Sequence, residues 1–197
     1  MLAQIRPAIV ATLFFTLLLG VGYPLAVTGI AHVAFPEQAE GSLIRDAKGQ
    51  VIGSALIAQN FAKPQYLHPR PSAAGTNGYD ASGSSGSNLG PLNPDLAKRI
   101  AKDAAGLQGE GPGPVPADAV TTSGSGLDPD ISPANAHRQA ARIAAARGVP
   151  VAEVEKAIAA STRSPWLGVF GQPAVNVLKA NLALDAAAPV RSAPPAN

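Results

Sequence analysis

Cysteine is absent from the 197 residues, which excludes disulfides and thiolate metal sites and leaves the redox compartment unread. Aromatic residues make up only 5% of a chain that is 46% hydrophobic, so Ala, Val and Leu must build the core. Charge is sparse as well: 15 Lys and Arg stand against 13 Asp and Glu, the formal net charge is +2, and no basic block stands out. A chain so balanced lacks the electrostatic footprint of a nucleic-acid binder. The dipeptide Gly-Lys, which a phosphate-binding P-loop places before Ser or Thr, occurs nowhere. The length leaves room for one ordinary domain plus an appendage, and no internal repeat is visible.

One absence is positional. From Pro7 to Phe35, "PAIVATLFFTLLLGVGYPLAVTGIAHVAF", there is no Asp, Glu, Lys or Arg. A bilayer core needs roughly 20 apolar residues, and this run exceeds that. A cleaved secretory signal has an apolar region of only about 7–15 residues. Length therefore favours a retained anchor over a signal, although Gly29 to Ala31 offers small residues for a cut. Arg6 precedes the span, whereas Glu37 and Glu40 follow it and no basic residue appears until Arg45. By the positive-inside rule the amino terminus stays in the cytoplasm and Pro36 onward lies outside. Pro24 removes a donor and crowds the Gly20 carbonyl, which predicts a kink. Gly20, Gly22 and Ala26 are either a helix-packing face or the ordinary glycine content of membrane helices. His32 falls at the outer interface, where a polar ring is cheap.

Beyond the span the pattern is mixed. Ser42 to Asp46 and Gln50 to Ile57 alternate apolar and polar residues about Lys48-Gly49 and read as a β-hairpin. The following stretch to Pro94 carries too much Pro, Gly and Ser for regular structure beyond a turn near Pro64. Asn93-Pro94-Asp95 starts a helix, with Gly106 expected past its end. Ser132-Pro133 opens a second that stops at Gly148, and Val151, Val154 and Ile158 keep helical spacing in a third. "VNVLKANLALD" suits a helix or a strand. The expected class is α+β: tail and transmembrane helix over 1–35, a mixed extracytoplasmic domain with a β-hairpin and several helices over 36–185, and a loose Ala/Pro-rich tail over 186–197.

Several chemical patterns fail on inspection. Asp128, Asp130 and Ser132 take the first, third and fifth places of a calcium-loop spacing, but Pro133 and Gln139 stand where Gly and Glu are needed. Turn and cap chemistry explains them better. Ser123, Asp128 and His137 contain triad ingredients without a nucleophile elbow. Asn135, Arg138 and Arg142 share a helix face, read as a solvated stripe or an acidic-partner surface. An Asp-Lys-Thr-Gly run, which an autophosphorylated transport ATPase would carry, is also missing.

"RPSAAGTNGYDASGSSGSNLGPLNPDL", "TTSGSGLDPDISPANAHRQAARIAAARGVP" and "VNVLKANLALD", with one amino-terminal span, resemble the KdpC family. That family is the C subunit of the bacterial Kdp high-affinity potassium-transporting ATPase, and the resemblance covers nearly the whole chain. It implies an inner-membrane complex with a P-type ATPase subunit, a channel-like potassium-binding subunit and a small single-span subunit. It also implies a non-catalytic accessory role, described as a catalytic chaperone that raises the ATPase subunit's affinity for ATP. ATP and potassium are then handled by the complex. The ABC-type signature Leu-Ser-Gly-Gly-Gln to which the family has been likened is not matched by "ASGSSGSN" or "TSGSG", so no nucleotide-binding, catalytic or metal residue is assigned. Long Gly-bearing loops commonly carry binding. Ser87, Asn88, Gly90, Ser123, Gly124, Gly126, Asp128 and Asp130 are the expected partner contacts. The alternative is a membrane-anchored extracytoplasmic hydrolase or solute-binding domain.

Overall fold

The computed structural model describes residues 2–189. The chain divides between Ser54 and Ala55 into two compact units.

The first unit is dominated by one continuous helical run, Ile5–Ala34, 30 residues long and unburied within the chain. At about 1.5 Å per residue it exceeds a hydrocarbon core of roughly 30 Å. Among the described residues it is the one helix long and apolar enough to cross a membrane. It comprises α1 (Ile5–Leu17), a π turn (Leu18–Gly22) and α2 (Tyr23–Ala34). The cause of the π turn is Pro24, which has no N–H to give the Gly20 carbonyl. The backbone widens just before it, so that Tyr23 N–H reaches back to the Leu18 carbonyl. Such a widened turn is a recognised source of helix bending. His32 Nδ1 lies 3.0 Å from the Thr28 carbonyl, one turn back.

A short helix α3 (Pro36–Ala39) leads into an antiparallel hairpin of β1 (Leu43–Arg45) and β2 (Val51–Ser54). Leu43 faces Ser54 and Ile44 faces Gly53, and then the register shifts so that Arg45 faces Val51. The turn is held by Asp46 Oδ1, which accepts from Lys48 N and Gln50 N at 2.9 Å, and Gly49 supplies a φ of +79°. The second strand stops at Ser54 rather than Ile57. The next residues leave the ladder, and Ala58 N–H donates to the Leu127 carbonyl at 2.9 Å.

The second unit contains α4 (Pro94–Leu107), α5 (Ala117–Val120), α6 (Pro133–Arg147), α7 (Val151–Ala160) and α8 (Val177–Ala187). Helices α6 and α8 pack against the central strand of a small antiparallel sheet ordered β3 (Asp130–Ile131), β5 (Ala174–Asn176), β4 (Thr162–Arg163). Side-chain caps set three helix starts: Asn93 accepts from Asp95 N, Ser132 from Asn135 N, and Asn176 from Lys179 N. Each cap contributes about 1 kcal/mol. Gly148, at φ +67°, ends α6 in the left-handed region that glycine occupies without strain. Gly106 does not end α4, which runs on through Leu107.

"VNVLKANLALD" is both of its expected forms in sequence, a strand to Asn176 and a helix from Val177. Val175 pairs with Ile131 on one side and Thr162 on the other, so this strand is the centre of the sheet. The core is aliphatic, as the scarcity of aromatics required: Leu67, Ile131, Ile143, Val154, Ile158, Val175 and Leu184 are buried together. Burying each such side chain stabilises by about 1.5–3 kcal/mol. The class is α+β with one amino-terminal apolar helix. Helix α8 continues to Ala187, and residues 190–197 of the expected tail lie outside the described residues.

Candidate partner surface

The face is positioned by residues 64–70, a turn at Pro64 and Gln65 followed by irregular backbone that has no strand partner. Side chains take the place of one. Asn181, from α8, accepts from Leu67 N at 2.8 Å and donates to its carbonyl at 3.0 Å. Gln139, from α6, does the same for His68, at 2.8 and 3.2 Å. Arg142 donates to the carbonyls of Pro64 and Tyr66, and Arg147 to that of Gln65. The Arg147 guanidinium is wholly buried, lies over the Tyr66 ring at 5.1 Å and pairs with Asp185 at 2.8 Å.

This corrects the reading of the α6 stripe. Asn135 and Arg138 are only 4% and 5% exposed, and Arg138 donates to the Leu107 carbonyl. The stripe is spent within the fold: Asn135 bonds the Asp118 and Gln139 side chains, Arg138 the carboxyl end of α4, and Arg142 the backbone that has no ladder. The His68 imidazole is pushed below its ordinary pKa, first by burial and then by the Arg142 guanidinium beside it.

Fixing residues 64–70 delivers Arg70 to the two Gly/Ser loops. Arg70 Nη1 pairs with Asp128 Oδ2 at 2.9 Å, and Nε and Nη2 reach the Thr121 carbonyl at 3.4 Å. The Tyr79 hydroxyl donates to the Arg70 carbonyl at 2.7 Å, and burial raises its pKa. Ser72 Oγ donates to the Gly126 carbonyl at 2.6 Å and accepts from Ala74 N and Tyr79 N. Ser85 N and Ser84 Oγ both donate to the Ser125 carbonyl, at 2.9 and 3.0 Å. The loops also interlock sterically. A Cβ on Gly86 would sit 2.9 Å from the Gly124 carbonyl oxygen. One on Gly126, where φ is +66°, would sit 2.8 Å from Ala74 N. The loops are thus one shaped body, with an open cleft of about 570 Å³ between Arg70, Ser84, Ser123, Leu127 and Asp128.

The expected contact residues divide by exposure. Asn88, with φ +52°, and Gly90 and Gly124 are exposed, and Ser87 is half-buried. Ser123 and Gly126 are buried inside the interlock. Asp128 and Asp130 are half-buried, and each is closed by an arginine, Arg70 and Arg163 respectively. In the span, Gly20, Gly22 and Ala26 are exposed. A Cβ on Gly20 or Gly22 would meet only its own helix, at 4.0 and 3.6 Å, which leaves room for a neighbouring helix.

A helix amino terminus behind a Gly/Ser loop is a ready anion site, but here a protein carboxylate occupies it. Asp118 accepts from Ser132 N and Ser132 Oγ at 2.8 Å and from Asn135 Nδ2 at 3.1 Å. The triad ingredients are likewise committed. Asp128 holds Arg70, Ser123 Oγ lies 3.4 Å from Ser125 Oγ, and His137 Nδ1 is bonded to Glu155. No group of three His, Cys, Asp or Glu able to hold a metal occurs among the described residues. Sequence reasoning missed Asp118 and Arg70. Each stands well away in the chain from the group it serves, so no local pattern marks them.

Comparison with known proteins matches nearly the whole chain. The family described as KdpC, K+-transporting ATPase, c chain, matches residues 5–186. A protein of Caulobacter vibrioides named potassium-transporting ATPase KdpC subunit is 65% identical over 190 residues, covering 96% of each chain. Relatives with the same name are 58% identical in Beijerinckia indica, over 98% of this chain and 99% of the relative, and 54% identical in Gemmatimonas aurantiaca, over 94% of each. Span, interlocked loops and core helices all fall within these matches, and the chain belongs to the KdpC family.

Proposed function

We propose that the chain is a non-catalytic accessory subunit of a potassium-importing P-type ATPase, acting through contacts rather than chemistry. The observation that carries this is the full-length match to relatives named as KdpC subunits of a potassium-transporting ATPase. The geometry supports a contact role, because the side chains that catalysis would need are spent on structure: Asp128 and Ser72 hold loops in shape, and His137 ties α6 to α7 through Glu155. In this reading the amino terminus is cytoplasmic, one helix crosses the inner membrane, and everything from Pro36 lies outside. The partners are the P-type ATPase subunit, the channel-like potassium-binding subunit and a small single-span subunit. Gly20, Gly22 and Ala26 face a helix of one of them. Asn88, Gly90, Gly124 and the Asp128 rim touch the potassium-binding subunit.

Nucleotide binding stays with the ATPase subunit. The Asp118 carboxylate repels a phosphate from the amino terminus of α6, and an extracytoplasmic domain is separated from the cytoplasmic ATP pool. Any gain in ATP affinity is a coupling free energy transmitted through subunit contacts, typically about 1–3 kcal/mol. Co-purification tests the proposal. A tagged P-type ATPase subunit from detergent-solubilised membranes is expected to bring down this chain and the potassium-binding subunit in fixed ratio. A chain that elutes alone, or a purified full chain that binds ATP at micromolar concentration, refutes it.

A further inference from the structure

The loop joining β4 to β5, Ser164 to Pro173, carries no charged residue. Its apex exposes four apolar side chains: Trp166 is 70% exposed, Leu167 71%, Val169 74% and Phe170 61%. They are not loose. Trp166 N donates to the Phe170 carbonyl at 2.9 Å, Val169 N to the Trp166 carbonyl at 3.2 Å, and the two rings lie 5.6 Å apart. The turn places Leu167 at φ +51° and Gly168 at φ +75°. A hairpin turn with two positive φ values favours Asn-Gly, and a branched aliphatic at its first central position is strained. The fold thus holds a leucine at an exposed tip in a conformation that leucine disfavours. Neither core packing nor turn formation accounts for it.

We propose that this apex is the apolar anchor by which the chain docks into an apolar recess on another protein subunit of the transporter. The inference rests on the subunit reading above. Two features select a protein socket over a lipid surface. The run from Ser164 to Pro173 carries no Lys or Arg, and the flanking Arg163 pairs with Asp130 at 2.8 Å, so the tip itself brings no basic residue to anionic headgroups. The shape is fixed by hydrogen bonds, ring contact and strain, and such preorganisation strengthens binding to a socket of defined form.

Size selects an anchor within a larger contact over a complete interface. The four side chains expose on the order of 500 Å² together, less than the roughly 800 Å² per partner of a stable interface. The remainder lies alongside. Gln172, Pro173 and Ala174 run from the apex into a cleft of 210 Å³ that they share with Arg70, Asp118 and Asp128. An apolar centre therefore adjoins the polar rim of the Gly/Ser face, the usual anatomy of a protein contact.

Leu167→Asn separates docking from folding, because the two readings predict opposite signs. Asparagine fits the left-handed turn, so the full chain purified in detergent should melt at the wild-type temperature or above it. Retention on the tagged ATPase subunit, in the intact complex under dilution, should fall by about tenfold or more, as for a central interface residue. Trp166→Ser should fall likewise. Wild-type retention of both variants overturns the inference while leaving the subunit reading in place. Loss of the wild-type chain itself overturns the subunit reading. Trp166 is the only tryptophan, so the full chain reconstituted alone in brominated phosphatidylcholine vesicles reports on the lipid alternative. Unquenched emission is expected, and strong quenching would place the apex in the bilayer and refute a protein socket.

Discussion

Replacing Asp118 with Ala should destabilise the second unit by vacating the amino terminus of α6. Three donors lose their acceptor: Ser132 N, Ser132 Oγ and Asn135 Nδ2, at 2.8, 2.8 and 3.1 Å. A hydrogen bond to a charged group contributes about 1.5–3 kcal/mol net, and an anion at a helix start adds about 0.3–1 kcal/mol. The bonds share two oxygens, and Ser132 is only half-buried, so water recovers part of the loss. Roughly 2–3 kcal/mol should remain. At about 2–4 °C per kcal/mol for a chain of this size, the melting temperature should fall by roughly 5–10 °C. Asp118→Asn should lose less than Asp118→Ala, because its amide oxygen can still accept from Ser132 N and Asn135 Nδ2 while its N–H group faces Ser132 Oγ, a hydroxyl able to accept. Circular dichroism melts of the full chain in detergent measure both. Acetate or phosphate should partly rescue Asp118→Ala and leave wild type unmoved, since a ligand that binds only the folded form raises its stability. Wild-type stability in Asp118→Ala, or a larger loss in Asp118→Asn than in Asp118→Ala, would refute the account of this helix end and reopen it as an anion site.

Gly126→Ala, which forces a Cβ toward Ala74 N at positive φ, should cost about 2–4 kcal/mol, whereas Gly90→Ala, with open space around it, should stay within about 0.5 kcal/mol by denaturant melt. Burial and Arg142 lower the folded pKa of His68, so below about pH 6.5 the unfolded chain takes up a proton that the folded chain resists. That contribution is complete above the unfolded value and is lost as pH falls through the folded one. His68→Gln should flatten stability in this window, and an unchanged pH profile would dismiss the effect. Thr76 is exposed and the chain has no cysteine, so Thr76→Cys should react with a membrane-impermeant thiol reagent in intact spheroplasts; labelling only after lysis would reverse the orientation. Gly22→Leu with Ala26→Leu should reduce recovery of the complex by blocking close helix approach, and undiminished recovery would make those small residues incidental.

Which features were legible in the sequence follows from the range of the interactions behind them. The span, the hairpin and the starts at Asn93 and Ser132 were readable because hydropathy, turn and cap signals act within a few residues. Asn176 was not recognised as a cap, because the strand before it and the helix after it overlap in one apolar pattern. The placement of residues 64–70 was unreadable for a different reason. Its partners lie 71 residues away at Gln139 and 114 at Asn181, and only the folded core brings them together. A helix-face rule assigned Arg138 and Arg142 to solvent or to an acidic partner, since it registers charge but not the backbone carbonyls that need donors.

The Gly/Ser loops make the same point about function. Their composition suggested partner contacts, yet Gly126 and Gly86 are required by steric closeness, and Ser72 and Ser125 by loop-to-loop hydrogen bonds. Glycine in these loops therefore marks tight self-packing as much as recognition. Surface left over from that packing is a better guide to partners. By that standard Asn88 and Gly124 remain available, while Ser123 and Gly126 do not. The charge-free run from Ser164 to Pro173 gains the most weight, because one turn gathers four exposed apolar side chains, the one tryptophan among them.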